Sequence, residues 1–366
     1  STTLGYTDVS SPGISLYTAI GFRPDYPIYN EDGSYNENLN LLYYYNPRGI
    51  QDEYIGDGRN RFYRLSGNIT FEPIKGWQTN LMVSMKENVY TGESYTTSKH
   101  YSLVTQNDYN GSASKSESAS RNDNIELTSK YDFNIDKHRV SALVGYSYLY
   151  NVYDGFSASN GNFPTEAYLY NNLGIGTLLT EEDRHAGMSS SKSDDKLIGF
   201  FGRVSYGYDN RYNALISVRR EGSTRFGSNH RWGTFPSVSL GWTISNEEFM
   251  KDQTWLNNLK LRVGYGVTGV IPTTNYLSQY TYNYDSYGDI MNKEGDWIQT
   301  LKVAQNPNKD LKWETTKEYN FGLDWSLLNE RLSGSVDYYV KTTSDLLYDY
   351  SVPVPPNLYS SPPALG

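Results

Sequence analysis

Aromatic side chains are concentrated in two stretches of the chain, where they could stack on a sugar ring or pack against a peptide. One group falls within residues 267–318 and the other within 151–195: Tyr276, Tyr280, Tyr282, Trp297, Tyr168 and Tyr170. A flat aromatic ring offers a large contact area and loses little rotamer entropy on binding. The alternative is that these rings pack the loops onto one another, since only a minority of contact residues usually dominate binding.

Residues 219–237 combine several arginines with several glycines. Arg220, Arg225 and Arg231 could line an interior surface and hold anionic groups through bidentate hydrogen bonds. Glycines at this density indicate backbone angles that other residues avoid. The favoured interpretation is therefore structural, with the arginines pairing with carboxylates such as Glu221 and fixing the loop whatever ligand is bound.

The titratable side chains show no catalytic or metal-binding pattern. His100, His138, His185 and His230 are scattered without metal-ligand spacing, so neither a catalytic site nor a cofactor is expected. The acidic stretches 181–183 and 194–195 could bind Ca²⁺, which prefers oxygen ligands. Solvated acidic loops are the commoner reading of such stretches.

Composition excludes several classes of protein. The chain has 366 residues, with 32 basic and 41 acidic side chains and a formal charge of −9, which argues against nucleic acid as a partner. It has no cysteine, which removes disulfides, thiolate metal sites and thiol nucleophiles. No apolar run is long enough for a transmembrane helix. Tyr and Gly are abundant, at 36 and 32 residues, while the hydrophobic fraction is only 37 %.

Alternation of apolar and polar residues is the main structural signal. It appears, for example, from Tyr63 to Phe71 and again from Ile198 to Tyr208. Period-2 alternation is typical of strands whose two faces meet different surroundings. The pattern predicts ten strands, each of roughly 8–13 residues, within residues 62–341.

The predicted connections alternate between short and long. Short turns are expected near 73–76, 135–138, 209–210 and 328–330, and long loops over 89–123, 151–195, 221–235 and 267–318. A connection of middle length, 244–258, contains a possible helical turn at 247–251. Short turns at one end, long loops at the other and alternating strands with aromatic girdles are typical of an outer-membrane barrel. The predicted fold is thus all-β, a transmembrane antiparallel β-barrel, with a soluble β-sandwich or propeller as the alternative.

The two ends of the chain lack this pattern. Residues 1–61 are predicted to form an extracellular or irregular segment, and 342–366 a Pro-rich loop, because proline cannot donate to a strand ladder.

Residues 219–237 closely resemble the signature of SusC-like (RagA/SusC family) TonB-dependent outer-membrane transporters, R-x-D-G-S-S-R-F-G-x-N-x-R-W-G-x-F-P-S. The residues singled out are Arg220, Glu221, Gly222, Arg225, Phe226, Arg231 and Trp232. Departures are slight, with Glu221 for Asp and Thr224 for Ser. Further blocks at 241–250, 259–269, 310–316 and 338–347 agree in order, although Val270 stands where Asn is common. The resemblance covers about 196–361.

The resemblance implies a 22-stranded barrel around an N-terminal plug domain, in the outer membrane of a Gram-negative bacterium. It implies TonB-dependent import of large oligosaccharides or oligopeptides, and no enzymatic activity. Expected partners are a SusD-like surface lipoprotein, the TonB complex acting through the plug, lipid or lipopolysaccharide, and a possible dimer of SusCD pairs. We expect the chain to be a middle piece of the barrel, without the plug and the remaining strands.

Two other functions remain open at this point. A passive porin or surface adhesion barrel would show similar strands. An outer-membrane protease would need a histidine close to acidic groups, and the nearest approach to that is His138 beside Asp136, at a short turn.

Overall fold

The computed structural model describes residues 2–9, 16–37, 45–106, 110–179, 187–305 and 307–348, and most of these lie in strands. The strands are β1 (Thr2–Val9), β2 (Tyr54–Ile74), β3 (Trp77–Thr96), β4 (Ser112–Ile135), β5 (His138–Gly161), β6 (Gly187–Tyr208), β7 (Tyr212–Ser223), β8 (Trp232–Thr243), β9 (Leu256–Val270), β10 (Tyr282–Met291), β11 (Trp297–Val303), β12 (Glu314–Leu327) and β13 (Leu332–Ser344). The α-helices are α1 (Leu16–Gly21), α2 (Pro47–Asp52) and α3 (Tyr101–Gln106). Short 3₁₀ turns occupy Leu169–Asn171, Leu173–Ile175, Thr177–Leu179, Ile244–Asn246 and Glu248–Met250.

Eleven of these strands form one sheet in which sequence neighbours pair. Its order is β1 to β9 followed by β12 and β13, while β10 and β11 form a separate hairpin between β9 and β12. The registers from β6 to β9, and on through β12 to β13, are antiparallel. The structure therefore confirms the predicted class, an all-β antiparallel sheet built as a meander.

One face of the sheet from β6 to β13 is apolar and open. Directly opposed positions on six strands form a row of Val204, Ile216, Val238, Tyr265, Tyr319 and Val340. Ile216 and Val336 on this face are 60 % and 63 % exposed. A soluble sheet would cover such a face, because exposed apolar area is unfavourable in water. In a membrane strand it is the face that meets lipid.

The alternate positions of the same strands are polar. The neighbouring row holds Arg203, Ser217, Ser237, Gly266, Glu318 and Lys341. Arg262 on β9 makes two 2.8 Å hydrogen bonds to the Asp324 carboxylate and lies 3.1 Å from Asp337. Arg262 is thus paired across strands, as are Glu318 and Lys341, and such pairing is how a charged side chain is tolerated away from bulk water.

The predicted short turns are confirmed, and their backbone explains their residues. The β6–β7 turn places Asp209 and Asn210 at positive φ, as a tight hairpin turn requires. The β12–β13 turn uses three consecutive residues at positive φ, Leu328, Asn329 and Glu330. In the 244–258 connection the expected helical turn is present as the 3₁₀ turn Glu248–Met250.

The predicted long loops at 89–123 and 151–195 are wrong in extent, because the strands continue into them. β4 and β5 have 24 residues each, about 80 Å of extended chain, whereas about 10 residues cross a membrane. In a membrane barrel, a strand that continues beyond the apolar band meets water on both faces, so hydrophobic alternation is lost while strand pairing persists. The predicted loop 267–318 contains the β10–β11 hairpin for the same reason.

The expected strand count and end segments also differ from the structure. The sheet has eleven strands within the described residues, against ten predicted. β1 lies inside the segment 1–61, paired along its whole length with β2, and β2 begins at Tyr54. Its residues Thr2–Val9 give few apolar positions, which hid the strand. β13 ends at Ser344, while 349–366, most of the predicted Pro-rich loop, lie outside the described residues.

The chain divides into two compact units. The first comprises residues 1–65, 85–122 and 151–193, and its buried cluster is Tyr95, Ala113 and Phe163. The second comprises 66–84, 123–150 and 194–366, and its buried cluster is Phe226, Phe235, Leu277, Leu311 and Trp313. The second cluster lies around the arginine- and glycine-rich segment singled out by sequence.

Candidate functional site

The signature segment, residues 219–237, consists of the end of β7, a connecting loop and the start of β8. Arg225 in the loop makes a salt bridge of 2.8 Å from Nη2 to Asp195 Oδ1. Its Nη1 donates to the backbone carbonyls of Pro272 and Thr273, at 2.7 and 3.1 Å. The Arg225 and Asp195 side chains are only 13 % and 3 % exposed. One guanidinium therefore fastens β6 and the β9–β10 connection to the signature loop.

Phe226, the next residue, is completely buried. Its ring lies 4.8 Å from that of Trp313, which in turn meets Phe235 at 5.2 Å in an edge-on arrangement. The Trp313 indole nitrogen donates to the Arg231 carbonyl at 3.1 Å. Gly227 is required by close approach, since a Cβ there would lie 1.8 Å from the Lys309 carbonyl oxygen. Aromatic packing and backbone contact thus hold residues 309–313 against the loop.

A second clamp joins β6 to the β9–β10 connection through Tyr276. Its hydroxyl donates to Asp194 Oδ1 and accepts from the Asp194 backbone N–H, both at 2.8 Å. Burial raises the pKa of the Tyr276 phenol, which keeps the donating proton in place. Gln305 Nε2 donates to the carbonyls of Tyr276 and Gln279, each at 2.9 Å.

The three arginines considered as possible binders of anionic groups, Arg220, Arg225 and Arg231, lie in different surroundings. Arg220 lies on the same face as Phe200, on the apolar side of β7, with its guanidinium 5.7 Å from the centre of the Trp232 ring. It therefore does not face the polar side, as lining an interior would require. The backbone carbonyl of Arg231 accepts the hydrogen bond from the Trp313 indole, while the Arg231 side chain is exposed. Glu221 pairs with Arg219, the first arginine of the signature segment, and Gly222 lies against the Trp232 ring.

The six candidate ligand-contacting aromatics separate into packed and exposed rings. Tyr276 serves the clamp, and Tyr170 packs on the first unit's buried cluster with Lys115 Nζ 5.5 Å from its ring centre. The rings of Tyr168, Tyr280, Tyr282 and Trp297 are all more than half exposed. Tyr282 and Trp297 lie at opposite ends of the β10–β11 hairpin, paired with Val303 and Met291. The strand between them spans about 20 Å, so they do not form one stacking site.

Two acidic residues that hold the signature loop, Asp194 and Asp195, were not predicted from the sequence as partners of Tyr276 and Arg225. Asp194 and Asp195 stand out in the sequence only as a possible calcium stretch, but their carboxylates bond Tyr276 and Arg225. Nothing in the spacing of Asp195 and Arg225, 30 residues apart, indicates the pair. Within the described ranges, no three acidic or histidine side chains gather as a metal site, and the acidic stretch 181–183 lies outside those ranges.

A separate polar cluster organises the short-turn end of β7 and β8. Glu247 accepts hydrogen bonds from the Tyr212 hydroxyl at 2.6 Å, the Trp242 indole at 2.9 Å and Arg211 Nη1 at 3.2 Å. These donors, Tyr212 foremost, hold the pKa of the Glu247 carboxyl below its ordinary value. The cluster ties the 244–258 connection to the first residue of β7 and to the end of β8.

No described helix has both the length and the apolar character needed to cross a membrane.

Comparison with known proteins identifies the architecture. The family model "TonB dependent receptor-like, beta-barrel" matches residues 5–363. The TonB-dependent receptor SusC of Bacteroides thetaiotaomicron is 41 % identical over 166 residues, 44 % of this chain and 16 % of that protein. The TonB-dependent receptor P3 of Formosa agariphila is 29 % identical over 354 residues, 96 % of this chain and 34 % of that protein. The chain, which is matched over almost its whole length, thus spans about a third of the length of the TonB-dependent receptor P3.

Solved structures agree in fold. The structure of the RagAB peptide transporter matches 86 % of this chain and 33 % of that chain, with a TM-score of 0.75 and 26 % identity. The RagAB peptide importer in its closed-closed state matches 99 % of this chain and 40 % of that chain, with a TM-score of 0.80 and 23 % identity. The expected SusC-like resemblance is confirmed, and the chain belongs to the TonB dependent receptor-like β-barrel family.

Proposed function

We propose that the protein of which this chain forms part imports large nutrients, oligosaccharides or oligopeptides, across the outer membrane of a Gram-negative bacterium. Import would be TonB-dependent, with this chain supplying strands of a SusC-like barrel. The observation that carries the proposal is the family match over 5–363, and its physical counterpart is the sheet with one open apolar face and one polar face. The polar face would line the interior and the apolar face would meet lipid or lipopolysaccharide.

A SusD-like surface lipoprotein is the partner we propose on the extracellular side. Support comes from the likeness to SusC and to the RagAB peptide transporter. The TonB complex would act through a plug domain in the same protein, and pairs of barrel and lipoprotein could dimerise.

Two competing functions receive less support. A passive porin or adhesion barrel gives no reason for a signature segment held by a buried ion pair and an aromatic cluster. A protease would need a histidine placed by carboxylates beside an activated water or a nucleophile. The exposed His230 lies 3.9 Å from one carboxylate, that of Asp310. His138 bonds the Tyr206 hydroxyl at 2.8 Å and packs 4.9 Å from the Tyr208 ring. His100 is buried against Tyr101 with its Nδ1 2.7 Å from the Ser102 hydroxyl, and burial lowers its pKa.

Growth and uptake in a deletion strain test the proposal. The strain is grown on separate oligosaccharide and oligopeptide mixtures, with and without the complementing full-length gene, and in a background lacking TonB. We expect loss of growth on at least one mixture, restored by the gene only when TonB is present. Restoration without TonB would indicate a passive pore and would overturn the proposal.

Purification from the outer membrane tests the partner separately. The tagged full-length protein, solubilised in mild detergent, is expected to carry a lipoprotein in equal amount. Recovery of the barrel protein alone would contradict the proposed SusCD-type complex while leaving energy-dependent import open.

A further inference from the structure

In the first unit, four neighbouring strands present a sheet face made almost entirely of hydroxyl-bearing and small side chains. Contacts across the strands fix its register. The hydroxyls of Ser94 and Ser114 lie 2.8 Å apart, and those of Ser157 and Ser189 lie 2.7 Å apart. Between β4 and β5, the Asn122 side-chain amide donates to Asn151 Oδ1 at 2.6 Å.

These contacts place alternate residues of four segments on one face of the sheet, counting from the first residue of each segment. The segments are 88–94 in β3, 114–120 in β4, 153–159 in β5 and 187–193 in β6. We call these sixteen positions the serine wall. They hold ten serines, three glycines, two tyrosines and one asparagine, with no charged residue among them. The glycines keep the surface shallow, since a Cβ on Gly92 or Gly155 would come within about 3 Å of the hydroxyls of Ser116 and Ser191.

Charged side chains in the same segments lie at the intervening positions. Lys115 bonds Glu93 at 2.7 Å, and Lys192 lies 3.6 Å from Asp154. The sixteen wall positions are neutral, although Lys86 borders them at the next alternate position of β3. The wall therefore presents no charge of its own, and its hydroxyls, which both donate and accept, suit a neutral ligand.

Two tyrosine rings rise from this neutral surface. Tyr90 and Tyr153 are 40 % and 48 % exposed. Tyr90 on β3 and Tyr153 on β5 are separated by one intervening strand and by two residues along the strand direction. Sheet geometry puts their Cα atoms about 12 Å apart. Tyr153 borders two concavities of about 320 Å³ each. One is lined also by Asn88, Ser118 and Ser191, with the ion pair of Asp154 and Lys192 at its side. The other is lined by Ser120 and by the cationic Lys86 and Arg121.

This combination matches the chemistry of a neutral oligosaccharide. A sugar ring has an apolar face that stacks on a tyrosine and a rim of hydroxyls that both donate and accept, as serine hydroxyls do. A peptide binds a sheet mainly by adding to a free strand edge, and β3 to β6 each have neighbours on both sides. We propose that the serine wall is a binding subsite for a neutral oligosaccharide; the proposal rests on the import function above and narrows its substrate class.

Retention of ligands on the immobilised full-length transporter tests the subsite. The probes are a mixture of neutral oligosaccharides of varied linkage and a mixture of tryptic peptides, applied separately and identified by mass spectrometry. We expect neutral oligosaccharides to be retained, and Tyr90→Ala with Tyr153→Ala to weaken their binding by about tenfold or more. Tyr153→Phe, which keeps the ring, should retain most of the affinity. Phe156→Ala is the matched control, because Phe156 is equally exposed at an intervening position of β5.

The outcomes separate the subsite from the import function. Retention of peptides in preference to oligosaccharides, retention of neither, or equal oligosaccharide binding by the double variant and the control would each overturn the subsite. TonB-dependent growth on either mixture would still stand in those cases. Conversely, oligosaccharide binding that depends on both tyrosines, without TonB-dependent growth, would support the subsite and contradict the import function.

Discussion

At the scale of single residues, the buried ion pair of Arg225 and Asp195 is the most consequential feature of the signature segment. Arg225→Ala would leave the Asp195 carboxylate buried without its cation, which typically costs about 3–5 kcal/mol. We expect the full-length protein, solubilised in detergent, to unfold at a clearly lower temperature in a heat-modifiability assay. Arg220→Ala, which removes an exposed arginine stacked on Trp232, is the matched control and should change little. Equal effects of the two variants would contradict the clamp.

Gly227 is a second residue whose role is defined by geometry. Gly227→Ala must displace the Lys309 backbone, since the new methyl group would lie 1.8 Å from its carbonyl oxygen. Overpacking of this kind costs roughly 1–3 kcal/mol. Gly202→Ala on β6 serves as the control, because the nearest atom to its Cβ is 3.8 Å away. Thermal unfolding should separate the two variants, and a destabilised Gly202→Ala beside an unchanged Gly227→Ala would refute the close approach.

Sequence reasoning located the signature segment and favoured arginines paired with carboxylates, but it could not name every partner or say which face each side chain occupies. The glycine and arginine density indicated a loop of fixed shape, and the structure shows such a loop. It could not reveal that Arg225 bonds Asp195 or that Arg220 lies on the apolar side, because both depend on register between distant strands.

At the scale of secondary-structure elements, Glu247 joins the ends of β7 and β8 to the connection that follows them. Its pKa is lower in the folded protein than in the unfolded chain, where it is about 4.3. Its stabilising effect is therefore present above that value and is lost as the pH falls through the folded pKa. We expect Glu247→Gln to unfold at a lower temperature than the wild type at pH 7, with the difference shrinking below about pH 4. A difference that does not depend on pH would show that the carboxylate charge is not what the donors recognise.

Strand boundaries show how far a hydrophobic pattern reaches. Alternation locates strands where one face meets lipid and the other a polar interior. It fails for the extended parts of β3 to β6, where serine alternates with charge and hydropathy scarcely changes. Serine alternates with other residues, among them Lys115 and Glu117, over residues 112–118. This alternation of small neutral and charged side chains indicates a strand even though no apolar residues alternate there.

At the scale of the whole molecule, the low hydrophobic fraction of 37 % follows from the sheet's two different faces. A membrane strand needs an apolar residue only at every second position, and the strand extensions need none. Within the described ranges, tyrosines lie on the apolar face, as Tyr265 and Tyr319 do, in packed contacts such as that of Tyr276, and on exposed surfaces such as the serine wall.

The claim on which the other functional proposals depend is that the apolar face of the sheet meets lipid. Single cysteines are introduced at Ile216 and Val336 and, at the neighbouring positions, at Ser217 and Ser335. The background is a full-length protein in which any cysteine outside this cysteine-free chain has been replaced. Each variant is labelled with a fluorescent bimane, and the full-length protein is reconstituted in vesicles containing brominated lipid. We expect strong quenching at 216 and 336 and little at 217 and 335. Equal quenching at neighbouring positions, or stronger quenching at the serines, would contradict a membrane-spanning sheet with this orientation.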